Sequence, residues 1–334
     1  MTRRRVCRRG LSLLPGVLGL GLLVQTGSSA EILKQTHVYK TVAALPIKAD
    51  VYRADDQVER PVVVWIHGGA LINGHREAID LRLKDSFLKA GCVVVSIDYR
   101  LAPETKLPGI IEDVEDALRW IREEGPRRFR ADPGRIAVVG GSAGGYLTLM
   151  SGFRVRPRPA AVVALWGYGD LIGPWYSSPS PHARHHQAKL SREEAFRQVA
   201  GPPIADARDR KGDGGAFYQF CRQQGLWPKA VSGWDPHSET EKFVPYMPVR
   251  NVGPDFPPTL LIHGDQDTDV PCEQSVMMAA ELRRNKVEHQ FLVVKKAEHG
   301  LAGAEAPKVE EAYRAAVEFV RRHLDRRPPD PSSH

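Results

Sequence analysis

A chain of 334 residues, 42% hydrophobic and 26% charged, is long enough to bury a large core in one large domain or two small ones. Its formal net charge is +7; setting aside residues 1–30, which hold five arginines and no acid, leaves +2, so charge makes no case for nucleic-acid binding. Beyond that segment stand three cysteines, Cys92, Cys221 and Cys272, enough for one disulfide at most, with no CxxC pair and no metal-ligand spacing.

Arg3, Arg4, Arg5, Arg8 and Arg9 precede an apolar run from Leu11 to Val24, and Ser28-Ser29-Ala30 follows with small residues. Charge, apolar core and small-residue exit in that order describe a cleaved secretory signal peptide over residues 1–30. The run falls short of the ~20 residues a spanning helix needs. The mature protein is then secreted or periplasmic, begins at Glu31, and has no stable membrane insertion.

Thr36–Val42 and Ile47–Tyr52 alternate polar and apolar residues, as half-exposed antiparallel strands do. Pro61–Ile66 is apolar throughout, as a buried strand is. A helix is predicted from about Glu77 to Ala90, a second buried strand over Cys92–Ile97, and a helix over Leu107–Glu124 with Ile110, Ile111, Val114, Leu118 and Ile121 on one stripe. Cys92 reads as a small core residue. Further buried strands are predicted at Ile136–Val139, Ala160–Trp166, Thr259–His263 and Gln290–Val294. Helices are predicted after Ser142, over Glu273–Lys286 and over Val309–Leu324; residues 326–334 read as a disordered tail. Buried strands alternating with helices mean an α/β fold, a mostly parallel sheet with helices on both faces.

One stretch breaks the alternation. Residues 169–255 are rich in Pro, Gly, Trp, His and Arg with weak periodicity. A loop of that length in a compact domain is usually functional. It reads as a cap inserted in a single domain of residues 31–325, with short helices near Ser191–Val199 and Ala216–Gln224.

In such sheets the site lies at the carboxyl ends of the strands. The third buried strand runs into Gly140-Gly141-Ser142-Ala143-Gly144-Gly145 and then a helix, so Ser142 stands on a sharp strand-to-helix corner as a candidate nucleophile. The first buried strand ends in His67-Gly68-Gly69-Ala70, where the N–H groups of Gly69 and Ala70, with that of Ala143, can face a developing oxyanion. His67 reads as a structural residue that holds this loop by hydrogen bonds. The fifth strand delivers Asp265, Asp267 and Asp269, three carboxylates competing to orient a histidine. The sixth runs into Glu298-His299, and His299 is placed to take the proton of Ser142. Ser, Asp, His is the chain order that this architecture uses.

These residues resemble the α/β-hydrolase superfamily, in its esterase and lipase group. His67-Gly68-Gly69 is similar to the group's oxyanion loop. Asp98-Tyr99-Arg100-Leu101-Ala102-Pro103-Glu104 and Gly140–Gly145 are similar to stretches of hormone-sensitive-lipase-like esterases, with Gly141 where an acidic residue is usual. His263-Gly-x-x-Asp267-x-x-Val270-Pro271 instead resembles the acid loop of dienelactone-hydrolase-like and prolyl-oligopeptidase-like members. The resemblance covers about residues 36–170 and 256–325. It implies Asp267 as the triad acid, leaving Asp265 and Asp269 as loop-shaping or solvated, and it implies no cofactor and no metal.

Trp166, Tyr168, Trp175 and Tyr176 follow the fourth strand and suit either the wall of an acyl pocket, with Trp175 or Tyr176 at its entrance, or packing of the cap on the core. His182, His185 and His186, near Arg184 and Lys189, read as a solvated, partly cationic cap face. The reading is a serine hydrolase that cleaves carboxylic esters, small or polysaccharide-linked, through an acyl-enzyme. The alternatives are a prolyl-oligopeptidase-like serine peptidase and an inactive hydrolase-fold binding protein.

Overall fold

The structure, a computed structural model, describes residues 1–2 and 31–325. The expected signal peptide, apart from its first two residues, and the expected tail lie outside the described residues. Residues 31–325 belong to one compact unit.

Eight strands form one sheet in the order β1-β2-β4-β3-β5-β6-β7-β8. β1 (Ile32–Val42) and β2 (Leu45–Ala54) make an antiparallel hairpin, and β2 joins the sheet antiparallel to β4 (Val93–Ile97). From β4 through β3 (Arg60–Ile66), β5 (Ala131–Gly141), β6 (Ala161–Leu165), β7 (Thr259–Gly264) and β8 (His289–Val294) every pairing is parallel. The continuous apolar strands bury both faces, and the side chains divide by period two. Val62, Val64 and Ile66 face one core, with α2 (Leu107–Phe129), α3 (Ala143–Arg154) and α9 (Glu273–Arg284). Val63 and Trp65 face the other, with α1 (Leu81–Lys89) and α10 (Ala306–Leu324). Cys92 is in the second core, and the three cysteines are free thiols.

Two helix boundaries differ from the sequence reading for identifiable reasons. α1 starts at Leu81 because the Asp80 carboxylate accepts from the N–H groups of Arg82 and Leu83, a side-chain cap. α2 continues past Pro126 to Phe129 because Phe129 is buried against Trp120, ring centroids 5.4 Å apart. Burial of an aromatic side chain there outweighs one lost helical hydrogen bond.

The segment between β6 and β7 carries α4 (Pro174–Ser177), α5 (Arg192–Arg197), α6 (Gly215–Gln224), α7 (Trp227–Ser232) and α8 (Thr240–Phe243). α5 begins with a capping box, Ser191 and Glu194 satisfying each other's backbone N–H. Its apolar side chains, Phe217, Phe220, Trp227, Val231 and Phe243 among them, belong to the same core as α2 and α3. The segment is therefore packed onto the sheet domain. Arg210 adds a buried ion pair to Glu104 at 2.5 Å and donates to Ala102 O at 2.7 Å.

Candidate active site

β5 ends in a corner whose glycines have no room for a side chain. A Cβ on Gly144 would lie 2.0 Å from Ile66 O, and one on Gly140 would lie 2.4 Å from Gly144 O. Ser142 itself takes φ 57°, ψ −120°, a region that L residues rarely occupy. Its N–H donates to Leu165 O at 2.9 Å, which ties the corner to β6.

The corner presents Ser142 Oγ to His299 Nε2 at 3.0 Å. His299 Nδ1 lies 2.7 Å from Asp267 Oδ2. Asp267 Oδ1 accepts from the N–H groups of Asp269 and Val270, each at 2.9 Å, so the carboxylate is aimed by its own loop. His263 stands 3.3 Å from Asp267 Oδ2 and is held by Ser275 Oγ and Val270 O. Burial pushes the Asp267 carboxyl up, but hydrogen bonds from His263 and His299 outweigh it and hold the group at about 2. An ionised Asp267 fixes the Nδ1–H tautomer of His299 and leaves Nε2 to accept from the serine. Burial pushes His299 down; its bond to Asp267 and the charges of Asp269 and Asp267 outweigh that, leaving it above the ordinary histidine value.

The β3 loop lies against this corner, for a Cβ on Gly68 would sit 3.2 Å from Ser142 Cβ. Gly69, Ala70 and Leu71 follow one another at φ 107°, 55° and 63°. Among the described residues the N–H groups of Gly69 and Ala70 donate to no other group, and Ala143 N–H opens α3. The loop is held from both sides. His67 is fully buried, stacked on Tyr99 at 4.2 Å and bonded through Nδ1 to Gly68 O at 2.7 Å, a structural role. Burial pushes its pKa down to about 4, which keeps it neutral. From the cap, Trp227 Nε1–H donates to Ala70 O at 2.9 Å and fixes that strained peptide.

The acid loop corrects two readings. Asp265 does shape the loop, accepting from Lys296 N at 2.6 Å. Asp269 is neither merely loop-shaping nor solvated: it is 9% exposed and bonded to Tyr218 Oη at 2.5 Å and to His185 Nε2 at 2.9 Å. Burial pushes its carboxyl up, but the His185 bond and the charges of His299 and Arg222 hold it well below the carboxylate range. His185 is likewise buried, between Asp269 and Ser180 Oγ, while His182 and His186 are exposed as read. Arg184 is half-buried on Glu298 at 2.6 Å. Glu298 also accepts from the N–H groups of His299 and Thr268, clamping the loops of the acid and the base together.

The four aromatic residues separate. Tyr168 and Tyr176 are buried, and Tyr176 lies between Trp175 at 3.6 Å and Trp227 at 3.9 Å, so Tyr176 packs the cap rather than guarding an entrance. Trp166 packs edge-to-face with the His299 ring, centroids 6.4 Å apart, and backs the imidazole. Trp175 lines a cavity of about 380 Å³ with Pro179, His182, Arg222, Thr268 and Asp269.

Sequence reasoning missed Tyr218, Arg222, Trp227 and Glu298. For one pair a signal existed: Tyr218 and Arg222 are one helical turn apart, beside the apolar stripe of Phe217, Phe220 and Cys221.

Two family models match in succession. One describes the alpha/beta hydrolase fold and covers residues 63–211; the other is the prolyl oligopeptidase family and covers residues 199–327. The chain belongs to the α/β-hydrolase superfamily. Within it, it is of the esterase and lipase type. The esterase LipI of Mycobacterium tuberculosis is 41% identical over 127 residues, which is 36% of this chain and 39% of that protein. A non-reducing polyketide synthase, mapC', of Penicillium brevicompactum is 28% identical over 345 residues, covering 89% of this chain. The match spans 16% of that synthase's length. Among solved structures, the Pyrobaculum calidifontis esterase aligns with a TM-score of 0.62 at 25% identity, over 87% of this chain and 85% of that one.

Proposed function

We infer that the protein is a serine carboxylesterase in which Ser142, His299 and Asp267 act as nucleophile, base and orienting acid. The observation that carries this reading is the unbroken relay Asp267–His299–Ser142, at 2.7 and 3.0 Å, beneath a loop with free N–H groups. His299 takes the Ser142 proton as Oγ attacks the ester carbonyl, and the oxyanion is met by the N–H groups of Gly69, Ala70 and Ala143. His299 then protonates the leaving alcohol, an acyl-enzyme remains, and water activated by His299 releases the acid. The substrate is a small-molecule or polysaccharide-linked ester.

A second reading has one observation behind it. The prolyl oligopeptidase model covers the acid and base loops, and a serine peptidase would use the same relay on an amide. A fluorophosphonate probe must label Ser142, and Ser142→Ala must lose both labelling and about 10⁴-fold in kcat. A panel of p-nitrophenyl esters against aminoacyl-nitroanilides separates the readings: turnover confined to anilides ends the esterase reading.

We also read residues 1–30 as an export signal, on their arginine-rich start, apolar run and Ala30 exit. N-terminal sequencing of exported protein should begin at Glu31; an intact arginine-rich start overturns this.

A further inference from the structure

The two oxygens of Asp269 have unlike surroundings. Oδ1 is saturated, with Tyr218 Oη at 2.5 Å, His185 Nε2 at 2.9 Å and Arg222 Nη1 at 3.6 Å. Oδ2 accepts no hydrogen bond among the described residues; charged groups near it are His299 Nε2 at 3.7 Å and Arg184 Nη2 at 3.9 Å. Asp269 also lines the cavity of about 380 Å³ whose walls include Trp175, His182 and Thr268. The Trp175 ring is stacked at 3.6 Å on Tyr176, which makes it a fixed wall.

His299 Nε2 is the atom that hands its proton to the leaving alcohol. An oxygen 3.7 Å from that atom therefore stands beside the alcohol half of the ester. A bound apolar alcohol would exclude solvent from this oxygen of a residue only 9% exposed and leave it without a donor, which is costly. An acidic alcohol group would meet like charge. A cationic group would meet two guanidiniums, Arg184 at 3.9 Å from Oδ2 and Arg222 at 3.6 Å from Oδ1. A neutral hydroxyl escapes all three costs and forms a charge-assisted hydrogen bond.

We propose that Asp269 Oδ2 and the Trp175-walled cavity form the leaving-alcohol subsite, and that it selects a polyhydroxylated alcohol, with a hydroxyl near the ester oxygen donating to Asp269. The proposal rests on the esterase reading of Ser142, His299 and Asp267. The hydroxyl comes from a sugar ring or from an open-chain polyol, and the ring would lie with its C–H face on Trp175.

Four acetates with one acyl group test it: propyl acetate, glycerol 1-acetate, methyl 2-O-acetyl-xyloside and 2-(dimethylammonio)ethyl acetate. Each kcat/KM is divided by that for propyl acetate, in wild type and in Asp269→Asn, so that intrinsic ester reactivity cancels between the two proteins. The hydroxylated esters should lose about tenfold or more of this ratio in the variant. Whichever of the xyloside and glycerol esters loses more shows whether the cavity takes a ring or an open chain. A change within twofold overturns the proposal, as does a wild-type preference for the ammonium ester. A parallel fall of all four acetates also overturns it, because Asp269 would then act through His299. If Asp269→Asn does not fold, the wild-type ratios corrected by hydroxide rates decide: no hydroxyl preference ends the proposal. Fluorophosphonate labelling of wild-type Ser142 is run alongside. Labelling without hydroxyl preference fails the subsite alone; absence of labelling fails the esterase reading beneath it.

Discussion

Around Ser142 the chain is held by backbone contact; around Asp267 it is held by charge. At the Ser142 corner Gly140, Gly144 and Gly68 bring main chains to distances that a methyl group would prevent, and among the described residues no ion pair takes part. At the acid loop Asp267, Asp269 and Glu298 are tied to His263, His299, His185, Arg184 and Arg222, on four separate stretches of chain. The first arrangement is steric and admits almost no substitution. The second is a network in which no single bond holds the fold but the bonds together set the state of His299. The contrast suits the roles proposed for Ser142 and His299: a nucleophile needs position, and a base needs position together with a tuned proton affinity.

The most damaging change should fall on the steric side. In Gly144→Ala the new methyl would lie 2.0 Å from Ile66 O and 2.7 Å from His67 O, with backbone on both sides of the contact. The cost is on the order of 4 kcal/mol or more, and Tm should fall by about 10 °C, with probe labelling of Ser142 lost. A variant that melts with wild type would mean that the corner yields, and the contrast drawn here would fail.

On the charged side a single substitution should spare the fold and cost chemistry. Asp267→Asn keeps the volume but lets His299 adopt the wrong tautomer, so kcat should drop about 10³–10⁴-fold with Tm within a few degrees. Asp265→Asn, whose carboxylate among the described residues serves only Lys295 and Lys296, should cost less than tenfold. Equal losses at the two positions would show that the acid loop works as a scaffold and not through the His299 tautomer.

The same contrast explains what was legible in the sequence. A steric corner leaves a local signature, glycines at fixed spacing after an apolar run, so Ser142, the Gly69–Ala70 loop and the eight strands could be read from the chain. Asp267 needed a resemblance, because three carboxylates on one loop are equivalent until the fold selects one, whereas His299 was singled out by its place last in the order Ser, Asp, His. The roles of Asp269, His185 and Trp227 were not legible, since each depends on a partner far along the chain. His185 and Asp269 are 84 residues apart, and Trp227 and Ala70 are 157 apart. In the cap the local pattern is weak because its helices are short; the longest, α6, has 10 residues and takes its stability from packing on the sheet domain.

The smallest effect expected is also the one that joins the two regions. Trp175 touches both: it stacks on Tyr176, which packs the cap through Trp227 against the Gly69–Ala70 loop, and it walls the cavity that Asp269 lines. The sequence reading left it between an acyl pocket and packing of the cap; under the alcohol-subsite proposal, a cavity bounded by Asp269, whose carboxylate lies 3.7 Å from His299 Nε2, is on the alcohol side. Trp175→Ala should therefore lower kcat/KM for the acetylated xyloside against propyl acetate by about three- to tenfold, the scale of one lost aromatic contact. Ranking of p-nitrophenyl esters by acyl length should stay as in wild type, because the alcohol is constant across that series. If the acyl ranking changes instead, the cavity holds the acid half and the alcohol must leave by another route. If neither ratio moves while Tm falls by a few degrees, Trp175 is a packing residue like Tyr176, and Asp269 selects the alcohol without a wall behind it.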